Sequence, residues 1–321
     1  MKVAISIGDL NGIGIQLALQ NHKEVSKTVK PIYCIDQAML EQAADELGLS
    51  VPNDFQTIEN IAPFFEIEPG SVSKESGTYA YASFVKAVDL AREKRVDAIC
   101  TLPIHKKAWE LAGVKYKGHT DALRDFFDAE AIMMLGCPKM YVALFTEHIP
   151  LREVADSINE KDLTRFLIDF FHTAKPQKTV AVLGLNPHAG DNGVLGNEEQ
   201  IIQKAIDNAT YILKQEKPTL YPLSSTFFSS PLVPDVAFTP NVRKHYTHYV
   251  AMYHDQGLAP LKALYFDEGI NVSLNLPILR TSVDHGTAFD IAYKGIELNN
   301  QSYLNAIKYI TKNLKLDQIK K

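Results

Sequence analysis

Three histidines stand at the ends of apolar runs. Tyr141-Val-Ala-Leu-Phe145 leads into Thr146-Glu147-His148, and Val180-Ala-Val-Leu183 leads through Gly184-Leu185-Asn186-Pro187 into His188. Val250-Ala-Met-Tyr253 leads straight into His254-Asp255-Gln256-Gly257. Open α/β sheets bind their ligands beyond the carboxyl ends of the strands. Three imidazoles delivered there suit a divalent metal with positions left open for substrate. A lone strand-end histidine more often hydrogen-bonds its own loop, so spacing leaves two readings, a shared metal centre or three separate loop anchors. Lys262, Asn271 and Arg280 follow at strand-and-turn intervals. Arg280 lies in 276–282, which reads as a turn-rich segment where a guanidinium would grip a carboxylate or phosphate through paired N–H donors. Each cation taken alone reads as a solvated surface charge. Gly118-His119-Thr120-Asp121 is a further polar turn, or simply the start of a helix over 122–127 capped by Thr120 or Asp121. Asp284-His285-Gly286-Thr287-Ala288-Phe289-Asp290 is a polar loop that leads into a helix.

The elements that must carry these residues alternate. Residues 3–7, 31–35, 98–102, 141–145, 179–185, 236–239 and 250–253 read as strands bounded by Gly, Pro or Asp. Residues 79–94, 160–173 and 197–214 have helical spacing, the last with Asn197 as its N-cap and Glu198 and Glu199 in its first turn. Such alternation argues for an α/β architecture on a largely parallel sheet. No flexible linker marks a domain boundary, and 113–118 is the first candidate crossing. The Gly8-Asp-Leu-Asn-Gly-Ile-Gly14 run after the first strand matches neither G-x-G-x-x-G nor the P-loop pattern. It reads as a tight strand-to-helix turn needing positive φ.

Composition narrows the function classes. The 321 residues carry 33 Lys+Arg against 38 Asp+Glu, a net charge of −5, so bulk charge gives no reason to expect nucleic acid. Cys34, Cys100 and Cys137 are too widely spaced for a disulfide framework or a zinc ribbon. The N-terminal apolar run is broken by Asp9 before it could act as a signal-peptide core, and no segment approaches the roughly 20 apolar residues of a membrane span. A soluble cytoplasmic protein with reduced thiols and no membrane partner is the expectation; the short basic end, Lys320 and Lys321, reads as a solvated terminus.

Read together, several motifs resemble the 4-hydroxythreonine-4-phosphate dehydrogenase family of pyridoxal phosphate (vitamin B6) synthesis. They are Thr101-Leu-Pro-Ile104 with Lys106, Gly118-His-Thr-Asp121, Leu185-Asn-Pro-His-Ala-Gly190, Tyr253-His-Asp-Gln-Gly-Leu258 and Arg280-Thr-Ser-Val-Asp-His-Gly-Thr-Ala288. The resemblance runs from Gly8 to about Gly295. It implies a two-domain α/β fold like the isocitrate and isopropylmalate dehydrogenases, with the active site in the inter-domain cleft and at a homodimer interface. Domains of 1–117 plus 285–321 (cofactor) and 118–284 (metal, substrate and dimerisation) are expected. The resemblance assigns the metal to His148, His188 and His254, the third from the partner subunit. It gives substrate contacts to His119, Thr120, Lys262, Asn271 and Arg280. The loop of Asp284, His285, Gly286, Thr287 and Ala288 would hold the adenosine part of NAD, which accounts for the missing Rossmann fingerprint.

The implied reaction is oxidation of 4-phosphooxy-L-threonine by NAD, with NADP as the alternative coenzyme, followed by decarboxylation to 3-amino-2-oxopropyl phosphate. It needs a divalent ion, for which Zn, Mg, Co and Mn all fit the ligand type. The base that takes the hydroxyl proton is sought first at His119, then at Lys106 or Lys262. The chain departs from the family pattern at the opening Gly8–Gly14 run, at Asp121 in place of Glu, at Asn275 in place of glycine and at Tyr293 in place of a small residue. The last two bear on coenzyme fit. The rivals are a decarboxylating dehydrogenase of another phosphorylated hydroxy acid, a metal-dependent hydrolase or aldolase, and a non-catalytic binding protein.

Overall fold

The first apolar run forms strand β1 (Lys2–Ser6), buried on both faces after its first residue, as a strand inside a covered parallel sheet must be. The computed structural model describes residues 1–216 and 226–319, so the basic end at Lys320 and Lys321 lies outside the described residues. After β1 come α1 (Gly14–Ser26), β2 (Lys30–Cys34), α2 (Gln37–Leu47), α3 (Lys74–Arg92), β3 (Ala98–Thr101), α4 (Lys106–Leu111) and α5 (His119–Phe127). Helix α3 starts earlier than its apolar spacing suggests, because Ser73 caps it by accepting the Ser76 N–H at 3.1 Å.

The chain then enters a second unit. Its elements are β4 (Ile132–Cys137), β5 (Met140–Leu144), α6 (Val154–Ser157), α7 (Glu160–Ala174), β6 (Ala181–Val182), α8 (Glu198–Glu216), α9 (Pro234–Ala237), α10 (Pro240–Arg243), β7 (His248–Ala251) and α11 (His254–Tyr265). β4 pairs antiparallel with β5, and β5, β7 and β6 run parallel, giving the order β4-β5-β7-β6. The segment expected as a strand at 236–239 is helical at its start instead. Pro234 at the first turn presets a helical φ and removes a donor that a strand would need. The core packs Met133, Val142, Leu144, Tyr249 and Ala251 from the sheet against Leu258 and Leu261 of α11.

The chain returns to the first unit with β8 (Ile270–Leu274), β9 (Leu279–Val283) and α12 (Gln301–Ile319). Here β2, β1, β3 and β9 are parallel in that order, and β8 lies antiparallel along β9. Arg280 therefore sits in a strand, not in the expected turn; the turn is confined to 275–278, where Asn275 has φ 58°. A left-handed backbone is the reason glycine suits that position. The polar loop from Asp284 runs on without a helix until Gln301. Gly118 holds the N-cap position of α5, while the Asp121 carboxylate accepts the Lys117 N–H at 3.0 Å.

The two compact units are Met1–Ala129 with Asp267–Lys321, and Glu130–Phe266. These limits differ from divisions after 117 and 284. Ala122 and Leu123 of α5 are buried with Phe84 and Val88 of α3, and β8 is bonded along β9, so both elements are held in the first unit. Cys34, Cys100 and Cys137 are buried and outside any disulfide, and burial pushes the Cys34 and Cys100 thiols up to about 12. Among the described residues no helix is long and apolar enough to cross a membrane.

Within α3, Gly77 lies against α4, where an added methyl would run into the Ala108 carbonyl. Helix propensity favours alanine over glycine by roughly 0.5–1 kcal/mol, whereas overpacking costs about 1–3 kcal/mol. Gly77→Ala is therefore expected to lower the urea midpoint. A raised midpoint would mean that the two helices separate freely.

Candidate active site

In the second unit, β5 and β7 are parallel neighbours with Leu144 opposite Ala251, so their carboxyl ends emerge together. Phe145 N–H and Thr146 N–H donate to the Ala251 and Met252 carbonyls, and Thr146 Oγ1 donates to Met252 O at 2.6 Å. These bonds tie the loop carrying His148 to the one carrying His254. The two imidazoles lie with ring centroids 5.5 Å apart. His254 opens α11, and its Nδ1 lies 2.6 Å from Asp255 Oδ1. A carboxylate on one ring nitrogen fixes the tautomer and leaves Nε2 for a metal. Gln256, which the sequence reading left without a role, joins strand ends: Oε1 accepts the Met252 N–H at 2.7 Å and Nε2 donates to Gly184 O at 2.6 Å.

His188 is presented differently. It begins a run of six residues with positive φ: His188, Ala189, Gly190, Asp191, Asn192 and Gly193. Each non-glycine residue there costs roughly 1–2 kcal/mol, so the turn must be held by its surroundings. Glu199 of α8 supplies the hold. Its Oε1 accepts the Leu185 and Asn186 N–H groups at 2.9 and 2.7 Å, and its Oε2 takes Asn186 Nδ2 at 3.0 Å. Glu198 accepts from the same amide at 2.7 Å. Among the described residues no three His, Cys, Asp or Glu side chains gather closely enough to hold a metal. One chain thus brings His148 and His254 together and leaves His188 outside their cluster. The donor chemistry of the pair still fits a divalent ion, because two neighbouring imidazoles, one with an anchored Nδ1, are ordinary ligands for one. Lys262, further along α11, is exposed and stands 5.9 Å from the Phe266 ring centroid.

The first unit holds a second constellation. The register aligns Ser6, Thr101, Ser282 and Asn271 across β1, β3, β9 and β8, a polar row at the carboxyl ends of the three parallel strands. Beside it Arg280 is 2 % exposed, and among the described residues no carboxylate pairs with it. Its Nε and Nη2 donate to Thr101 Oγ1 at 3.2 and 2.7 Å, and Nη1 donates to Ser273 Oγ at 3.1 Å. Burial lowers its pKa to about 10. Thr120 Oγ1 lies 3.3 Å from Ser273 Oγ. His119 is packed edge-on against Phe84 and Trp109. Burial first, then the charge of Arg280, holds its pKa well below the usual imidazole range, so the ring is neutral at pH 7. Its Nε2 is buried without a partner, as are Asn271 Oδ1 and Ser6 Oγ. Native folds rarely leave such atoms bare; the Ser6 hydroxyl and the His119 ring can donate to an anion, while Asn271 Oδ1 can accept from an ammonium or hydroxyl of the same ligand. Lys106 is exposed on the first turn of α4.

The polar loop after β9 rests on the turn after β1. Gly8 has φ 72°, and a side chain there would strike the backbone at Pro103, which supports the reading of this turn as structural. Ile13 N–H donates to Thr287 O at 3.1 Å, and Tyr293 Oη donates to Leu10 O at 2.7 Å. Tyr293 itself has φ 59°. Asp284 N–H is taken by Ser302 Oγ, and Ala288 is left-handed with φ 45°. His285 Nδ1 sits 3.1 Å from Gly286 O, its Nε2 is buried and unpartnered, and burial lowers its pKa. Phe289 stacks on His105 with centroids 4.9 Å apart.

At the heart of that turn is Asp9, fully buried, with Oδ1 accepting the Asn11 N–H and Oδ2 accepting from Ser76 Oγ. Burial outweighs these bonds and raises its pKa from 3.8 to about 6. A carboxyl whose folded pKa is raised adds stability below its unfolded value and loses it as pH climbs through the folded one. At pH 8 the ionised side chain therefore costs about 3 kcal/mol, at about 1.4 kcal/mol per pKa unit. Asparagine keeps the acceptor for Asn11, and Ser76 Oγ has Ser73 O as another acceptor at 3.2 Å. Asp9→Asn is expected to raise the denaturant midpoint at pH 8, with the gain shrinking to nothing near pH 4. An equal shift at both pH values would show that Asp9 is not protonated on folding.

The family model described as "Pyridoxal phosphate biosynthetic protein PdxA" matches residues 27–310. The 4-hydroxythreonine-4-phosphate dehydrogenase of Sulfurimonas denitrificans is 57% identical over 308 residues, covering 96% of each chain. Among solved structures, the enzyme of that name from Burkholderia phymatum is 32% identical with a TM-score of 0.76, covering 97% of this chain and 98% of that one. The one from Klebsiella pneumoniae is 28% identical with a TM-score of 0.78, covering 97% and 99%. A mixed α/β chain with these matches over almost its whole length belongs to the pyridoxal phosphate biosynthetic protein PdxA family.

Proposed function

We propose that this chain is the NAD-linked dehydrogenase that oxidises 4-phosphooxy-L-threonine at its secondary alcohol and releases carbon dioxide, leaving 3-amino-2-oxopropyl phosphate. The single observation that carries the reading is Arg280, a buried guanidinium with no carboxylate partner, beside a neutral His119. A substrate bearing a phosphate and a carboxylate supplies the missing anion. The relatives named for this activity support the choice of substrate.

Oxidation moves a hydride from the carbinol carbon and a proton from its hydroxyl; the β-keto acid then loses its carboxylate as carbon dioxide, and the carbon left behind is protonated. Hydride acceptance is the chemistry a bound NAD supplies, and the residues assigned to it are Asp284, His285, Gly286, Thr287 and Ala288. A divalent ion held by His148, His188 and His254 would polarise the alcohol oxygen and the later carbonyl. Arg280, Asn271 and Lys262 bind the anionic and polar groups and so fix which carbinol face is presented. Thr120 and His119 Nε2 hydrogen-bond the substrate. Because burial and Arg280 depress its basicity, His119 is better fitted to a neutral contact than to taking the proton at pH 7. That leaves Lys106 and Lys262 as the base. The alternative, histidines that only anchor loops, accounts for the Asp255 carboxylate on His254 Nδ1 but not for the approach of the His148 and His254 rings to 5.5 Å.

A homodimer with a shared site is part of the same proposal; the 5.5 Å approach of His148 and His254 within one chain departs from the expectation that His254 is the ligand that crosses, and makes His188 the candidate instead. Purified protein with NAD, a divalent metal and 4-phosphooxy-L-threonine is expected to form NADH and the aminoketone phosphate, and to stop when the metal is chelated. NADH from a four-carbon sugar acid phosphate but none from 4-phosphooxy-L-threonine would overturn the assignment. His188→Ala and His254→Ala, each inactive, are expected to regain activity when mixed as subunits, because one hybrid site keeps every ligand. Silence from proven heterodimers would refute a shared site. Mixing His148→Ala with His254→Ala asks which imidazole crosses: no recovery means the pair works within one chain.

A further inference from the structure

A guanidinium offers five N–H donors, and Arg280 uses three of them, all on hydroxyls: two on Thr101 Oγ1 and one on Ser273 Oγ. One N–H remains on each of Nη1 and Nη2, the two nitrogens that grip an oxyanion as a fork. We propose that Thr101 and Ser273 are positioning residues that hold Arg280 with uncharged partners, so that an oxyanion of the substrate is its first counter-ion. The inference rests on the substrate reading above and extends it to two residues outside the assigned contacts.

Several observations support this role. Thr101 is fully buried and Ser273 is 1 % exposed, so water does not compete for either hydroxyl. Thr101 closes β3 in register with Ser282, and Ser273 stands opposite Arg280 on β8, so both cradle hydroxyls are fixed by strand pairing. Strand-borne groups are held more closely than loop-borne ones. The Ser273 hydroxyl accepts from Arg280 and has its own proton for Thr120 Oγ1 at 3.3 Å, which couples the cradle to a proposed substrate contact. A carboxylate at either position would neutralise the guanidinium from within and remove the reason for an anion to enter. Hydroxyls satisfy the hydrogen bonds and leave the charge unspent.

The test compares the full-length protein with Thr101→Val, Thr101→Ser, Ser273→Ala and Ser273→Asp. Calorimetric titration with inorganic phosphate and with unphosphorylated L-threonine tells which oxyanion the fork takes. Steady-state kinetics give KM for 4-phosphooxy-L-threonine and for NAD. Thr101→Val and Ser273→Ala are expected to weaken the bound probe and raise the substrate KM at least tenfold, with the NAD KM within twofold. Thr101→Ser, which keeps the hydroxyl, is expected to restore both. Ser273→Asp is expected to abolish probe binding while its thermal midpoint holds or rises. Probe binding that survives in Thr101→Val and Ser273→Asp overturns the cradle, as does wild-type protein that binds neither probe. Wild type that binds phosphate but yields no NADH from 4-phosphooxy-L-threonine overturns the proposed reaction instead and leaves the cradle standing.

Discussion

A buried positive charge is the constraint around which the first unit is arranged. Removing an ion from water costs several kcal/mol unless it is paired or hydrogen-bonded, and Arg280 is almost wholly removed from water without a carboxylate to meet it. Two hydroxyls carry the hydrogen bonds. The antiparallel β8 is what makes this feasible, since pairing along β9 lays Ser273 beside Arg280 and Asn271 beside Ser282 on one face of the sheet. The depressed imidazole of His119 is a direct consequence of the same burial and the same charge. A fold that needed only stability would have replaced the guanidinium by an apolar chain, so its presence argues for a ligand.

The second unit solves a different problem, the delivery of imidazoles from strand ends. His148 and His254 are aimed by ordinary means: adjacent parallel strands, backbone bonds between their loops, and a carboxylate on Nδ1. His188 is aimed by strain. Its left-handed turn would unwind without the carboxylates of Glu198 and Glu199, which take the amide groups just upstream. Local preference and native conformation disagree there, as expected where geometry serves a site more than stability.

How much of this was legible in the sequence depended on the kind of signal. The strand-end histidines could be read because buried strands are short apolar runs and the residue after them stands out. Arg280 was misread as part of a turn because Pro277 and the alternation of polar residues on β8 and β9 mask two strands whose one face is a polar site. Helix α9 was misread because a three-residue apolar run carries no period, and Pro234 decided it. The roles of Thr101, Ser273 and Gln256 were not readable, although Thr101 and Gln256 lie in quoted motifs, since hydroxyls and amides are common and only strand register and strand-end contacts reveal that they meet a guanidinium or two strand ends. Asn275 and Tyr293 stood out as departures, and both prove to be left-handed backbone positions.

The buried thiols give each unit its own clock. Cys34 and Cys100 belong to the first unit and Cys137 to the second, and all three are shut away from solvent. With the Cys34 and Cys100 pKa values pushed up to about 12, those two groups carry almost no thiolate in the native state, and the thiolate is the form that reacts. An alkylating reagent can therefore reach them only when the surrounding core opens. The time course of labelling at the three sites would report how often each unit breathes, without any probe being added to the chain.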